Sequence, residues 1–244
     1  MNTSKIITGG IVAIAILAVL LMSGCTSMNT IVEHRQDKTV HGAAENIDLT
    51  VTTFNGNIEI QESTEYDVEV TYNITAPEGH LQHVTTGTNG SRDGNTLKLT
   101  AEAKLSDPNE KLPINHGCDI LVKVPKNSSY NLNLMTSNGN VKVTQLNGNK
   151  MIIATSNGNV DAAAGNYSAI DAATSNGNIN VKLLSDTQFF VDASTSNGRI
   201  THNSIQMQAD KESQTSLIGS TASGRGNLHM VLQTSNGNID LSYI

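Results

Sequence analysis

Short runs in which apolar and polar residues alternate recur along the chain from about residue 45 onward. Examples are Val141–Val143, Val160–Ala162 and Ile179–Val181. Successive side chains of a β-strand point to opposite faces, so this alternation indicates strands with one buried face. No helical pattern of useful length occurs after residue 25. The pattern therefore predicts an all-β fold.

A repeated string is the strongest signal in the chain. Thr-Ser-Asn-Gly occurs five times, with its glycines spaced by 19, 19, 21 and 39 residues, and Phe54–Ile60 is an earlier relative. Asn-Gly favours a turn because both residues tolerate positive φ, so each unit is predicted to form strand, turn, strand, turn. The predicted repeat turns are at Asn55, Gly56, Asn138, Gly139, Asn157, Gly158, Asn176, Gly177, Asn197, Gly198, Asn236 and Gly237.

Two topologies satisfy this repeat. Units could pair as antiparallel hairpins in a sandwich, or each unit could be one coil of a β-solenoid. In a solenoid, equivalent positions stack about 4.8 Å apart, and stacked Asn side chains can hydrogen-bond along the axis. Identical turns are then required, whereas sandwich hairpins occupy different environments. The repeat therefore favours a parallel β-solenoid, a right-handed β-helix with a narrow interior of small aliphatic residues.

The first 25 residues differ from the rest. Lys5 precedes the apolar run Ile6–Met22, which is typical of a secretory signal or an N-terminal apolar helix. Ser23-Gly24-Cys25 follows and resembles the lipobox of prokaryotic lipoproteins, which predicts lipidation at Cys25. An uncleaved membrane helix and plain secretion are the alternatives. All three place the remaining chain outside the cytoplasm.

The rest of the chain divides by composition into three parts. Residues 26–44 are polar and are predicted to be a tether. Residues 45–135 are predicted to form an irregular, β-rich first half or cap, with polar loops at 76–95 and 104–118. Residues 136–244 are predicted to form the repeat solenoid, and residues 45–244 together are predicted to form one domain.

Composition argues against some classes of protein and function. Charged residues are 15% of the chain, too few for a typical disordered protein. Aromatic residues are 3% and the formal net charge is -7, which argues against nucleic-acid binding. With Cys25 lipidated, Cys118 has no internal disulfide partner and is predicted to be a buried apolar residue.

Candidate chemistry is sparse. His80 and His83 have ligand-like spacing, but a zinc site would need further ligands. Glu59, Glu62, Glu65 and Glu69 alternate along a predicted strand-turn-strand region and are interpreted as a solvated face. Glycoside hydrolysis would need two carboxyl groups at a controlled separation. We therefore predict a protein that is not an enzyme, with no catalytic residue, cofactor or metal.

Several segments in order carry a family resemblance: Asn55–Ile60, Asp67–Tyr72, Ile120–Lys126 and the Thr-Ser-Asn-Gly-Asn repeats. With them, the chain resembles the putative-adhesin family of β-strand-repeat domains on bacterial and archaeal envelope proteins. The resemblance implies an adhesin-like fold and transfers no catalytic residue.

The resulting prediction is a membrane-anchored, non-enzymatic, extracytoplasmic surface protein. Its partner would be an envelope glycan, a surface protein or a neighbouring copy. The resemblance also implies an alternative, an envelope-stress sensing component that partners a membrane regulator. A polysaccharide-acting β-helix enzyme is the third and weakest interpretation.

Overall fold

The computed structural model describes residues 31–107, 115–203, 205–221 and 226–244. Within these ranges the chain forms two β-sheets and one short 3-10 helix at Leu81–His83, so the all-β prediction is confirmed. No helix in the described ranges is long and apolar enough to cross a membrane. The predicted N-terminal apolar helix and Cys25 lie outside the described residues.

The strands are β1 Val32–Gly42, β2 Asn46–Asn55, β3 Ile58–Ser63, β4 Asp67–Pro77, β5 Val84–Asp93, β6 Thr96–Leu105, β7 Gly117–Pro125, β8 Ser129–Asn138, β9 Val141–Leu146, β10 Gly148–Asn157, β11 Val160–Ala164, β12 Ala169–Asn176, β13 Ile179–Leu183, β14 Phe189–Asn197, β15 Ile200–Thr201, β16 Gln208–Glu212, β17 Ser216–Ser220, β18 Leu228–Asn236 and β19 Ile239–Tyr243.

Consecutive strands form coils that contribute one strand to each sheet. The first sheet has the order β1-β4-β7-β3-β9-β11-β13-β19-β15, and the second has the order β16-β17-β14-β18-β12-β10-β8-β2-β6-β5. Numbered by position in the stack, coil 1 is β2–β3, coil 2 is β8–β9, coil 3 is β10–β11, coil 4 is β12–β13, coil 5 is β18–β19 and coil 6 is β14–β15. Neighbouring coils pair in parallel, with equivalent repeat residues aligned, for example Asn157 beside Asn176. This is the coil-on-coil pairing predicted for a solenoid; the hand of its winding stays a prediction.

The core lies between the two sheets and is built from the inward side of the alternation. The first inward residue after each repeat turn is buried in every coil. These residues are Ile58, Val141, Val160, Ile179, Ile239 and Ile200. Because they are aliphatic and of similar size, successive coils fill the narrow interior at one spacing.

The order of coils in space differs from their order in the chain. Coil 4 is followed in the sequence by coil 6, and coil 5 comes afterwards and lies between them. The spacing of 21 residues between Gly177 and Gly198 occurs where the chain steps over the layer of coil 5. The same departure occurs at the other end, where β6 and β7 lie outside coil 1 although they follow it in the chain.

Antiparallel strands close both ends of the stack. Residues 32–42, in the predicted tether, form β1 instead and pair with β4 in the first sheet. Residues 84–93, in a predicted loop, form β5 and pair with β6 in the second. At the other end, β16 and β17 form a hairpin that extends the second sheet past β14. The 39-residue spacing thus contains this hairpin as well as β18.

Candidate binding surface at the asparagine corner

Each of the six coils turns between its two strands at the repeat string, and we call this edge of the stack the asparagine corner. In coils 2 to 6, the Asn that precedes the Gly donates a side-chain hydrogen bond to the equivalent Asn of the preceding coil. The Nδ2–Oδ1 distances are 2.5 Å for Asn138–Asn55, 2.7 Å for Asn157–Asn138, and 2.8 Å for Asn176–Asn157, Asn236–Asn176 and Asn197–Asn236. The result is one continuous amide ladder along the axis.

The Asn that follows each Gly forms a second ladder. Its Oδ1 accepts the backbone N–H of the equivalent residue in the next coil, at 2.8 Å for Asn159 N–H to Asn140. Asp119 provides the acceptor at one end, 2.7 Å from the Asn57 nitrogen. At the other end Arg199 replaces Asn and only donates, through its backbone N–H to Asn238 at 2.9 Å.

In each coil, a buried threonine stabilises the turn of the asparagine corner from the core side. Thr155 Oγ1 donates to the carbonyl of Gly139 at 3.1 Å, and Thr174 Oγ1 donates to Gly158 at 2.9 Å. Thr155 is 7% exposed. A buried hydroxyl needs a partner, and the carbonyl of the adjacent coil provides it at every repeat.

Close stacking explains the glycines of the corner. A Cβ added at Gly158 would lie 1.9 Å from the carbonyl oxygen of Gly139, and one added at Gly139 would lie 2.0 Å from that of Gly56. The corner Asn residues do not use the positive φ that Asn tolerates, since among described non-glycine residues Asn115 alone has positive φ. The Asn ends a strand in extended conformation, and Gly is required because the preceding coil leaves no room for a side chain.

The outward residue between Thr and Asn is a serine in five of the six coils. Ser137, Ser156, Ser175, Ser196 and Ser235 are all exposed. In coil 1 the equivalent residue is Phe54, which packs partly against the core. A carboxamide has two N–H donors, and the ladder uses one of them. From coil 2 to coil 6, the row of Ser and Asn side chains therefore repeats one hydroxyl and one amide N–H at each coil spacing, and none of these side chains is charged.

The candidate acidic residues lie elsewhere and are mostly paired with lysines. Glu59 accepts from Lys142 at 2.8 Å, and this hydrogen bond lowers the pKa of Glu59 and raises that of Lys142. Glu62 lies 3.4 Å from Lys126, and Glu69 lies 2.7 Å from Lys38. The sequence indicated only a solvated face for these carboxylates. The structure adds their lysine partners, which the sequence did not reveal.

The candidate histidines come together at the end of the stack near β1. The ring centroids of His80 and His83 are 5.2 Å apart, and His116 joins them at 5.9 Å from His80. Among the described residues, no group of three or more His, Cys, Asp or Glu side chains is arranged to hold a metal ion. Cys118 is buried as predicted, and burial raises its thiol pKa to about 12. A thiol with that pKa is a poor nucleophile at neutral pH.

Open grooves flank the corner and the opposite edge. One of about 410 Å³ lies where the ladder ends, between Asn55, His116 and Asp119. Another of about 650 Å³ includes Glu45 and the exposed Tyr66, and it shares no residue with the ladder. Both are open depressions, unlike the enclosed apolar pockets that usually hold cofactors.

A solved structure has the same fold. A putative cell adhesion protein from Clostridium sporogenes ATCC 15579 is 12% identical, with a TM-score of 0.69, and the match covers 86% of this chain and 100% of that chain. A putative adhesin from Bacteroides fragilis NCTC 9343 is also 12% identical, over 85% of this chain and 97% of that chain, with a TM-score of 0.31. No curated protein matches this chain.

A family model covers almost all of the described chain. The Toastrack DUF4097 model matches residues 44–166 and again residues 122–242, and the two matches overlap at residues 122–166, which include coils 2 and 3. The predicted resemblance to an adhesin-like family of unknown function is thereby confirmed. The chain belongs to the Toastrack DUF4097 family.

Proposed function

We propose that this protein is a non-enzymatic surface protein, anchored to the membrane outside the cytoplasm, whose asparagine corner binds an extended envelope glycan. The observation that carries the proposal is the repetition of an exposed serine and a spare amide N–H at one coil spacing. A linear polymer with repeating hydroxyl groups matches such a row better than a compact ligand does.

The chemistry of the row favours a neutral, hydroxyl-rich partner. Ser and Asn offer neutral donors and acceptors, and five serines lie in line without a charged residue among them. Each such hydrogen bond contributes only about 0.5–1.5 kcal/mol net. Several in series, on a partner that already spans them, give useful affinity by raising the effective concentration of each next contact.

Two serines in the middle of the row provide the test. We expect Ser156→Lys with Ser175→Lys to weaken binding to immobilised envelope polysaccharide by about tenfold or more, because two bulky charges obstruct a row of weak contacts. The matched control is Gln145→Lys with Ser185→Lys, which adds the same charge at exposed positions away from the corner. Both variants should melt at the temperature of the unaltered protein.

Treatment of the envelope separates glycan from protein partners. Periodate oxidation of the sugars should abolish binding, and protease treatment should leave it unchanged. Loss of binding after protease alone would instead favour a membrane regulator or another surface protein as partner. Equal binding by the two lysine variants would contradict a role for the corner.

The proposed anchor rests on the apolar run Ile6–Met22 and on Ser23-Gly24-Cys25. We expect intact-mass analysis of the membrane fraction to show a chain that begins at a lipidated Cys25. A chain that retains residues 1–24 without lipid would support an uncleaved helix in its place.

A further inference from the structure

The asparagine ladder is built from the dipeptide most prone to spontaneous deamidation. In Asn-Gly, the glycine nitrogen attacks the side-chain Cγ of Asn, a C–N bond forms, the proton leaves the nitrogen and ammonia departs. Water then opens the resulting succinimide to aspartate or isoaspartate. Glycine favours the attack because it carries no side chain to obstruct the ring. The ladder contains six such dipeptides, one in each coil.

Inside the stack, the attacking nitrogen is already engaged. The Gly139 N–H donates to the carbonyl of Asn157 at 2.9 Å, and the Gly158 N–H donates to that of Asn176 at 3.0 Å. The glycines of coils 1, 4 and 5 make the same contact with the next coil. These glycines are Gly56, Gly177 and Gly237, at 2.7, 3.0 and 3.0 Å.

The asparagine side chain that would be attacked is also held in place by a hydrogen bond. In coils 1 to 5, the Oδ1 of the ladder asparagine accepts a hydrogen bond from the following coil, as Asn157 does from Asn176 at 2.8 Å. Turning its Cγ toward the glycine nitrogen would break that bond. Succinimide formation within the stack therefore requires local opening of the coil.

Coil 6 has no following coil, so both restraints end at Asn197. Its Nδ2 donates to Asn236 at 2.8 Å, but neither its Oδ1 nor the Gly198 N–H has a hydrogen-bond partner among the described residues. The loop of the β16–β17 hairpin accepts hydrogen bonds on either side of Asn197. The Thr195 N–H donates to the carbonyl of Thr215, and the Ile200 N–H donates to the carbonyl of Gln214. Asn197 is exposed, so water can reach the ring.

We propose that Asn197 is the deamidation site of the folded ladder and that the five other ladder asparagines are protected by stacking. Conversion of Asn197 to aspartate replaces its donor amide with a carboxylate that faces the Oδ1 of Asn236. The modification adds a negative charge to the row of neutral Ser and Asn side chains, two residues before the exposed Arg199 of the same turn, and it does not require an enzyme.

Peptide mapping by mass spectrometry tests the proposal. The folded protein and a sample unfolded in denaturant are incubated in mildly alkaline buffer, and the acid form is measured at each ladder asparagine over time. In the folded protein we expect Asn197 to convert at least about tenfold faster than Asn138, Asn157 and Asn176, whose reaction must await local opening. In the unfolded sample the rates should agree within about twofold, since the neighbouring residues are nearly identical.

Three results would overturn the proposal. One is conversion of an interior ladder asparagine as fast as Asn197 in the folded protein. Another is the same preference for Asn197 in the unfolded sample, because sequence rather than stacking would then set the rate. The third is an unmodified Asn197 after the unfolded chain has converted fully.

Discussion

At the scale of single residues, the corner shows how one amino acid can be required for a reason other than the expected one. Asn-Gly predicts a turn, and at these positions the chain passes from a strand of one sheet to a strand of the other. The reason lies in the preceding coil, because the carbonyl oxygen of Gly139 lies 1.9 Å from where the Cβ of Gly158 would be. Sequence periodicity located these glycines, but only the stacked structure shows which atom excludes a side chain.

Substitution of Gly158 tests this packing. We expect Gly158→Ala to lower the free energy of unfolding by about 3 kcal/mol, because the added methyl group must displace the backbone of coil 2. Chemical denaturation monitored by circular dichroism measures the change.

Gly87 in β5 is the matched control. A Cβ at Gly87 would have nothing within 4 Å, so Gly87→Ala should leave stability nearly unchanged. A loss at Gly158 no larger than the loss at Gly87 would contradict the close approach of the coils.

At the scale of elements, strands with an inward apolar side were predictable and edge strands were not. The alternating runs Val141–Val143, Val160–Ala162 and Ile179–Val181 lie at the starts of β9, β11 and β13. In contrast, β16 is exposed along its whole length, and β1 is largely polar. Edge strands are often polar because this discourages pairing with other chains, and the same polarity removes the pattern by which a strand is recognised.

The contacts between coils were likewise predictable only in part. The Asn ladder followed from identical letters at identical phase, and the buried threonines stand in that same repeated string. The coil order could not be predicted, since coils 4, 5 and 6 carry the same corner sequence and nothing local distinguishes their neighbours. The ion pair of Glu59 joins β3 to β9 and that of Glu69 joins β4 to β1, and no local pattern specifies either strand pairing, which is why both ion pairs were missed.

The β16–β17 hairpin provides a prediction at this scale. Ser213 Oγ accepts the N–H groups of Thr215 and Ser216 at 3.3 and 3.0 Å, and it therefore shapes the loop that covers coil 6. We expect Ser213→Ala to speed hydrogen exchange at Thr195 and Ile200 by about fivefold, because losing these bonds costs roughly 1 kcal/mol.

An interior amide serves as the reference in that measurement. Exchange at Thr155, in coil 3, should not change, because it lies away from the hairpin. Uniformly faster exchange throughout the stack would mean that the hairpin stabilises the whole fold and not the end coil alone.

At the scale of the whole molecule, the spacing of 21 residues between Gly177 and Gly198 gains a physical meaning. Stepping over coil 5 requires the chain to rise by one further strand spacing, about 4.8 Å. Two extended residues span roughly 7 Å, which is enough for this rise. The additional length falls between β13 and β14, where Ser185 and Asp186 form an exposed turn.

Shortening this connection should expel coil 5. We expect deletion of Ser185 and Asp186 to remove the hydrogen-exchange protection of β18 and β19, because coil 6 can then reach only the layer beside coil 4. Insertion of Gly-Ser at the same turn should cost less than about 1 kcal/mol and preserve protection, since longer loops close with little extra entropy. Equal protection in the deletion and insertion variants would refute the link between loop length and coil order.

The position of coil 5 also bears on biosynthesis. Ribosomes make β14 and β15 before β18 and β19, so a nascent chain that has already folded coils 4 and 6 holds an unfilled slot one strand wide. Four unpaired strand edges border this slot, and any chain with the same repeat could enter it, including the β18–β19 segment of a second nascent copy. Correct assembly then requires intramolecular insertion to be faster than strand exchange between copies. Dilution of newly made chains slows the exchange and favours the monomer.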